Sequence, residues 1–367
     1  MRKLAAMKIA LDATPLYGRM GGIERALWHT LLALHELDLP HEFHLFVPRD
    51  APDSPCSRAN WSWRRLPFPG AAKVRRIVWQ QTELPVLLAR EGFDVLHATN
   101  YVMPLLSPVP TVVSVPDTIA LDRPRFATRG NRVHYRAVMP QTLRRADVLL
   151  ASTPRGRAAI LRRAPDAQVL VAPLGVERAF FDPVSVQEAR RVREKFALPE
   201  RFVLYAGNFE PKKNLPRLLR AVGSLGSSAP ELVLVGAIKP WAELERLKLR
   251  ARFLGFVERD ELRALMSECA AFCFPSLAEG FGMPVLEALA CGARVVASSA
   301  VPIPGLERVA WLPEPRSVSA IASAIQAALG SDFDASAARA FASRFRWEET
   351  ARMWARSYGV ASSDAPE

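Results

Sequence analysis

The feature that most limits what this chain can fold into is a rhythm that runs, breaks once and starts again. Short apolar runs alternate with longer amphipathic stretches. "KIALDA" (8–13), "HLFVP" (44–48), "DVLHAT" (94–99), "TVVSVPD" (111–117) and "DVLLAST" (147–153) read as strands with helical segments between them. Strands that are apolar throughout and separated by helices belong to a parallel sheet covered on both faces. "VAPLGVERAFFDPVS" (171–185) has two prolines, a glycine and no periodicity, so it reads as the approach to a linker. Beyond it "FVLYAG" (202–207), "ELVLVG" (231–236), "RFLGFV" (252–257), "AFCFPS" (271–276) and "RVVAS" (294–298) restart the strand pattern. Helices are predicted over 23–37, 73–91 with an interruption at Pro85, 214–225, 243–251, 261–270 and 284–292. A final helical segment runs from Val318 to Tyr358. At 367 residues the chain has room for two domains. The prediction is α/β, two Rossmann-like domains facing a cleft, at 1–183 and 184–344. Ligands of such sheets bind beyond the carboxyl ends of the strands.

Charge and cysteine usage narrow the partners. The net charge of +12 admits nucleic acid, an anionic membrane surface or a phosphorylated ligand, and an Arg-rich base composition accounts for it equally. Zinc-finger spacing, RNP-like strings and long basic runs are all missing, which argues for no nucleic acid partner. The four cysteines, Cys56, Cys269, Cys273 and Cys291, form no CxxC pair and have no nearby histidine. They read as reduced core residues, with no metal site expected. No apolar run reaches the roughly 18–20 residues that span a bilayer, and no signal peptide is evident. The expectation is a cytoplasmic protein, at most peripheral to a membrane.

One stretch carries chemistry. In "FPSLAEGFGMPVLEALACGARVVAS" (274–298), Glu279 and Glu287 flank a glycine-rich turn. The turn follows a buried-looking strand, Pro284 fits the start of a helix and Gly292 its end. Gly280 and Gly282 permit backbone conformations that turn N–H groups outward, and a helix N-terminus beside them favours anions. Two carboxylates there can accept hydrogen bonds from the hydroxyls of a polyol whose phosphates lie close by. Either glutamate alone is explained by solvation or a helix dipole; the whole string is not.

This string resembles the E-x7-E motif of the retaining family 4 glycosyltransferases, the "glycosyl transferases group 1", which have the GT-B fold. Further matches follow in order across nearly the whole chain: "GGIERALWHTLLAL" (21–34), "RRADVLLASTPRGRAAI" (144–160), "APLGVERAFF" (172–181), "YAGNFEPKKNLPRLLRAV" (205–222) and "FRWEETARMWARSY" (345–358). The resemblance implies a C-terminal helix, within 345–367, that crosses back onto the first domain. It also implies roles. Glu279 would contact the transferred sugar, and Glu287 the ribose of the nucleotide. Lys213 would grip the diphosphate. Gly280, Phe281, Gly282 and Met283 would line the sugar and diphosphate, with Phe256 and Val257 near the base. Gly21 and Gly22 would approach the phosphates from the first domain. No cofactor and no metal are implied; the one DxD string, Asp332 and Asp334, reads as a turn or helix cap.

Two positions depart from the family pattern. Asn208 stands where many members have arginine, and Lys212 can supply that charge. Pro116, in "SVPDTIALDRPRF" (114–126), stands where the family usually has histidine, and Asp117 remains. His97 is the candidate substitute; a packed histidine at a strand end is the competing reading. The form "GN-x-EPKKN" is most similar to bacterial O-antigen and exopolysaccharide mannosyltransferases that use GDP-mannose. The implied partners are a nucleotide sugar and a glycan or polyprenyl-diphosphate-linked glycan acceptor. The basic helix "KVRRIVWQQ" (73–81), with Trp79, reads either as an ordinary amphipathic surface helix or as a contact for anionic membrane. Rival readings are a UDP- or dTDP-sugar donor, an epimerase or phosphorylase on the same scaffold, and an inactive member that serves as a binding partner.

Overall fold

The computed structural model describes residues 6–18, 21–126, 128–226, 229–237 and 251–363. The helix predicted over 243–251 lies almost wholly outside them. The chain divides into two compact units, Met1–Gly175 with Arg346–Glu367, and Val176–Phe345.

The first unit holds seven parallel strands: β1 (Lys8–Asp12), β2 (Glu42–Val47), β3 (Trp61–Arg65), β4 (Val95–Ala98), β5 (Thr111–Val115), β6 (Val148–Ala151) and β7 (Val169–Val171). Their order is β3-β2-β1-β4-β5-β6-β7, so the connections reverse direction between β1 and β4. Among the described residues the helices between them are α1 (Gly22–Glu36), α2 (Lys73–Glu91), α3 (Ile119–Asp122), α4 (Arg129–Arg145) and α5 (Pro154–Leu161). Both faces of the sheet are buried. Ala98, Val113 and Leu149 pack with Met139, Leu143 and Ile160 on one side. Ala10, Phe46 and Leu96 pack with Trp79, Leu84 and Leu88 on the other. That two-sided burial is why the strands read as unbroken apolar runs rather than alternating ones. Strands β3 and β7 escape the sequence reading because they are short edge strands, and β3 ("WSWRR") is half polar.

The second unit holds β8 (Phe202–Ala206), β9 (Glu231–Val235), β10 (Ala251–Gly255), β11 (Ala271–Phe274), β12 (Val295–Ala297) and β13 (Ala310–Trp311). All pair in parallel, in the order β10-β9-β8-β11-β12-β13. Among the described residues its helices are α6 (Val186–Lys195), α7 (Leu215–Gly223), α8 (Arg259–Glu268), α9 (Met283–Ala290), α10 (Val318–Gly330) and α11 (Ala335–Ala342). The chain then returns to the first unit as α12 (Trp347–Ser363), which packs on α1. The single helix expected from Val318 to Tyr358 is thus three. One break has a plain cause: Asp334 Oδ1 accepts the N–H groups of Ser336 and Ala337, both at 2.9 Å, and starts α11. Asp334 is a helix cap. All four cysteines are buried free thiols.

Candidate nucleotide-sugar site

The predicted donor residues gather at the carboxyl edge of the second sheet. Its connections reverse between β8 and β11, which pair through Ala271–Val203 and Phe272–Leu204. The loops that follow these two strands therefore leave the sheet side by side, where open α/β sheets take their ligands. After β8 come Asn208, which is exposed, and a short turn over Pro211–Lys213. After β11 comes Glu279. The Lys212 carbonyl accepts the Leu277 N–H at 2.7 Å and ties the two loops together.

Lys213 Nζ donates to Glu279 Oε1 at 2.7 Å, and the side chains are 13% and 8% exposed. The ammonium also lies 4.7 Å from the centre of the Phe274 ring. Burial pushes the Glu279 carboxyl up, but the Lys213 and Lys212 charges and the Lys213 hydrogen bond outweigh it and hold the group below its ordinary value. Glu279 is therefore ionised at neutral pH. A buried ion pair is costly to keep dry and gains little stability. Its presence at a sheet's switch point is better explained by what it can bind.

Gly282 caps α9 with φ of +114°, in the left-handed region. A Cβ there would also meet Val301 Cγ1 at 2.8 Å, so glycine is required twice over. Phe281 is buried edge-on to Phe345, and Gly280 and Met283 are half-buried at the mouth of the turn. Pro284 sits in the first helical turn as expected. Glu287 is buried within α9 and pairs with Arg259 at 2.9 Å. Arg259 also pairs with Glu177 and lies 4.4 Å from the Phe180 ring centre. Burial alone would lower the guanidinium; the two carboxylates overcome that and raise it. Neither Arg259 nor Glu177 was singled out from the sequence. Arg259 is the lone arginine inside the acidic string "ERDEL" and Glu177 lies in the family match "APLGVERAFF", but neither string marks the two as partners. Past β10, Phe256 is half exposed and Val257 is buried.

The remaining predicted residues lie in the first unit. Gly21 and Gly22 open α1. Asp117 follows β5, accepting the Tyr101 hydroxyl at 2.9 Å and the Ile119 N–H at 2.8 Å. His97 is a correction. It is fully buried in β4, with Nδ1 3.0 Å from the Tyr358 hydroxyl and Nε2 2.9 Å from Ser114 Oγ. Trp354 stands edge-on 4.2 Å away. Burial pushes its pKa down to about 3, so the ring is neutral. A neutral, doubly bonded, buried imidazole anchors α12 to the sheet and is not placed to act on a sugar. Trp79 is a second correction: at 2% exposure it belongs to the core and cannot rest on lipid.

Comparisons with known proteins identify the family. Residues 186–351 match the family model "Glycosyl transferases group 1", and residues 20–180 match "Glycosyltransferase Family 4". The serotype-specific mannosyltransferase WbdA of Escherichia coli is 32% identical over 200 residues, which are 49% of this chain and 24% of WbdA. This chain thus matches about a quarter of WbdA's length. The O-antigen chain mannosyltransferase B of Escherichia coli is 28% identical over 290 residues, 72% of this chain and 74% of that protein. Sucrose-phosphate synthase from Thermosynechococcus elongatus superposes with a TM-score of 0.75 at 21% identity, over 98% of this chain and 100% of that one. Two parallel-sheet units, a paired-glutamate loop at the second sheet's switch point and a family match over each unit lead to one conclusion: the chain belongs to the group 1, family 4 glycosyltransferases of the GT-B fold.

Proposed function

We propose that the protein transfers a hexosyl group from a nucleotide sugar to a glycan acceptor in the synthesis of a cell-surface polysaccharide, with retention at the anomeric carbon. The observation that carries this reading is the buried Lys213–Glu279 pair at the switch point of the second sheet, beside the N-terminus of α9. Charge grows on the diphosphate as the glycosidic bond breaks. Lys213, Lys212 and backbone N–H groups at Gly280–Met283 stabilise that growing charge more than they stabilise the ground state. Glu279 accepts hydrogen bonds from the sugar hydroxyls, and Glu287 from the ribose diol. Asn208, Phe256 and Val257 complete the donor site.

In this scheme the bond from the anomeric carbon to the phosphate oxygen breaks as the acceptor oxygen bonds on the same face. The acceptor's proton passes to the leaving phosphate, so no covalent enzyme intermediate and no metal ion are needed. The donor is GDP-mannose; the mannosyltransferase names of the Escherichia coli relatives support the sugar. The acceptor is a glycan, carried on a polyprenyl diphosphate, and the enzyme works on the cytoplasmic side of the membrane. Incubation with GDP-, UDP- and dTDP-sugars and a lipid-linked glycan acceptor, followed by NMR of the product, tests the reading. An α-linked mannosyl product from GDP-mannose is expected. Inversion to a β-linkage would overturn the mechanism, and transfer from a UDP- or dTDP-sugar alone would overturn the donor.

A further inference from the structure

The first sheet has a switch point of its own, between β1 and β4, and its carboxyl edge carries cations that the donor site does not use. Lys73 and Arg76 stand one turn apart at the start of α2. Both are half-buried. Among the described residues neither has a carboxylate within ion-pair distance. Lys73 Nζ donates to Asn131 Oδ1, at the start of α4, and comes within 3.9 Å of a Cβ built on Gly130. Arg76 Nη1 donates to the carbonyls of Gly70, at 3.3 Å, and Thr14, at 3.4 Å. Its guanidinium lies 5.5 Å from the Tyr17 ring centre. These contacts hold the arginine while engaging one of its nitrogens. One turn beyond Asn131 is His134, half-buried, whose pKa is lowered by burial and then by Lys73 and Arg76. The histidine thus feels both cations.

Two carboxylates stand close by, and the Arg76 charge acts on one of them, Glu24, without an ion pair between them among the described residues. Glu24 turns back to backbone N–H groups at Gly21 and Glu24 itself, and burial raises it. Asp117 is engaged by Tyr101 and the Ile119 N–H. Tyr101 is held at φ of +64°, a costly conformation for a tyrosine, and its ring lies 5.2 Å from that of Tyr135. The cluster therefore combines two cations that form no ion pair among the described residues with two aromatic rings. Aromatic faces suit the C–H face of a sugar, and lysine with arginine suits a phosphate oxygen.

We propose that Lys73, Arg76 and His134, with Tyr101 and Tyr135, form an acceptor subsite for a sugar that carries a phosphate or diphosphate ester. This rests on the reading of the chain as a transferase whose first unit takes the acceptor. It gives Lys73 and Arg76 a ligand other than the anionic membrane that was one of the two readings of this helix.

The test uses the full chain saturated with the nucleoside diphosphate it binds most tightly. Calorimetry then follows a hexose 1-phosphate, the same neutral hexose, and phosphatidylcholine vesicles with and without a polyprenyl phosphate. The phosphorylated hexose or the polyprenyl phosphate vesicles should bind, and the neutral hexose should bind at least about tenfold more weakly. Soluble binding alone assigns a free sugar phosphate as the source, and vesicle binding alone assigns a lipid headgroup; either supports the subsite. Lys73→Gln, His134→Gln and Arg76→Gln should each lose about tenfold or more while nucleoside diphosphate binding stays unchanged. Equal binding of charged and neutral hexose with no binding to the vesicles, or wild-type anion binding in Lys73→Gln and Arg76→Gln, would overturn it. Failure of the wild type to bind any nucleoside diphosphate would instead strike the transferase reading beneath it.

Discussion

The Lys213–Glu279 pair makes the sharpest demands at the scale of single residues. Lys213→Met removes the cation and leaves a carboxylate in a site where it is 8% exposed. Steady-state assays should show kcat reduced by about 10²–10³-fold, and denaturant melts a loss of about 3–5 kcal/mol. Because the folded Glu279 carboxyl lies below its ordinary value, its pairing adds stability above the ordinary carboxylate range. That contribution disappears as the pH falls through the lowered value. His97 tests a different link. Its folded pKa of about 3 lies below the unfolded value near 6.5, so the unfolded chain binds the extra proton in between. Its contribution is full above that unfolded value and declines as the pH falls toward the folded one, by about 1.4 kcal/mol per unit. In His97→Gln that part of the acid slope should vanish, as urea melts across this range would show. An unchanged slope would mean that the ring is protonated in the folded protein.

Elements show where sequence reasoning reached and where it stopped. Strands buried on both faces announce themselves as apolar runs, so β1, β4, β5, β6, β8, β9 and β11 were legible. Edge strands such as β3 and β7 bury less and signal less. The Glu279–Glu287 loop was legible because glycines, a proline and two carboxylates each have a local reason to be there. The Arg259 bridge to Glu177 and Glu287 was not, because it joins residues far apart in sequence and depends on tertiary placement. His97 shows the same limit from the other side: a histidine at a strand end reads alike whether it faces a ligand or packs under a helix. The return of α12 rests on one glycine. A Cβ on Gly175 would lie 2.4 Å from the Trp347 backbone nitrogen, which cannot move without shifting the helix. Gly175→Ala should cost about 1–3 kcal/mol in urea melts, and a neutral effect would mean that α12 docks more loosely than this contact implies.

For the whole molecule, the two-unit α/β architecture followed from a strand rhythm that breaks once and restarts, and the family followed from motifs spread over both units. The acceptor was not legible, because the residues proposed for it come from three separate segments, α2, the loop after β4 and α4, with no shared motif. The basic helix illustrates the point. Its sequence allowed either an ordinary amphipathic helix or a lipid contact; Trp79 is core, and Lys73 and Arg76 turn toward α4 and β1. The central claim is that the second unit binds a nucleotide diphosphate through Lys213 and Glu287. The most direct measurement is calorimetric titration of the full chain with GDP, UDP, ADP and dTDP in the absence of metal. The account predicts one site that prefers GDP, weakened about tenfold or more in Lys213→Met and in Glu287→Gln. No binding to any of the four, or binding that both variants leave intact, would contradict it.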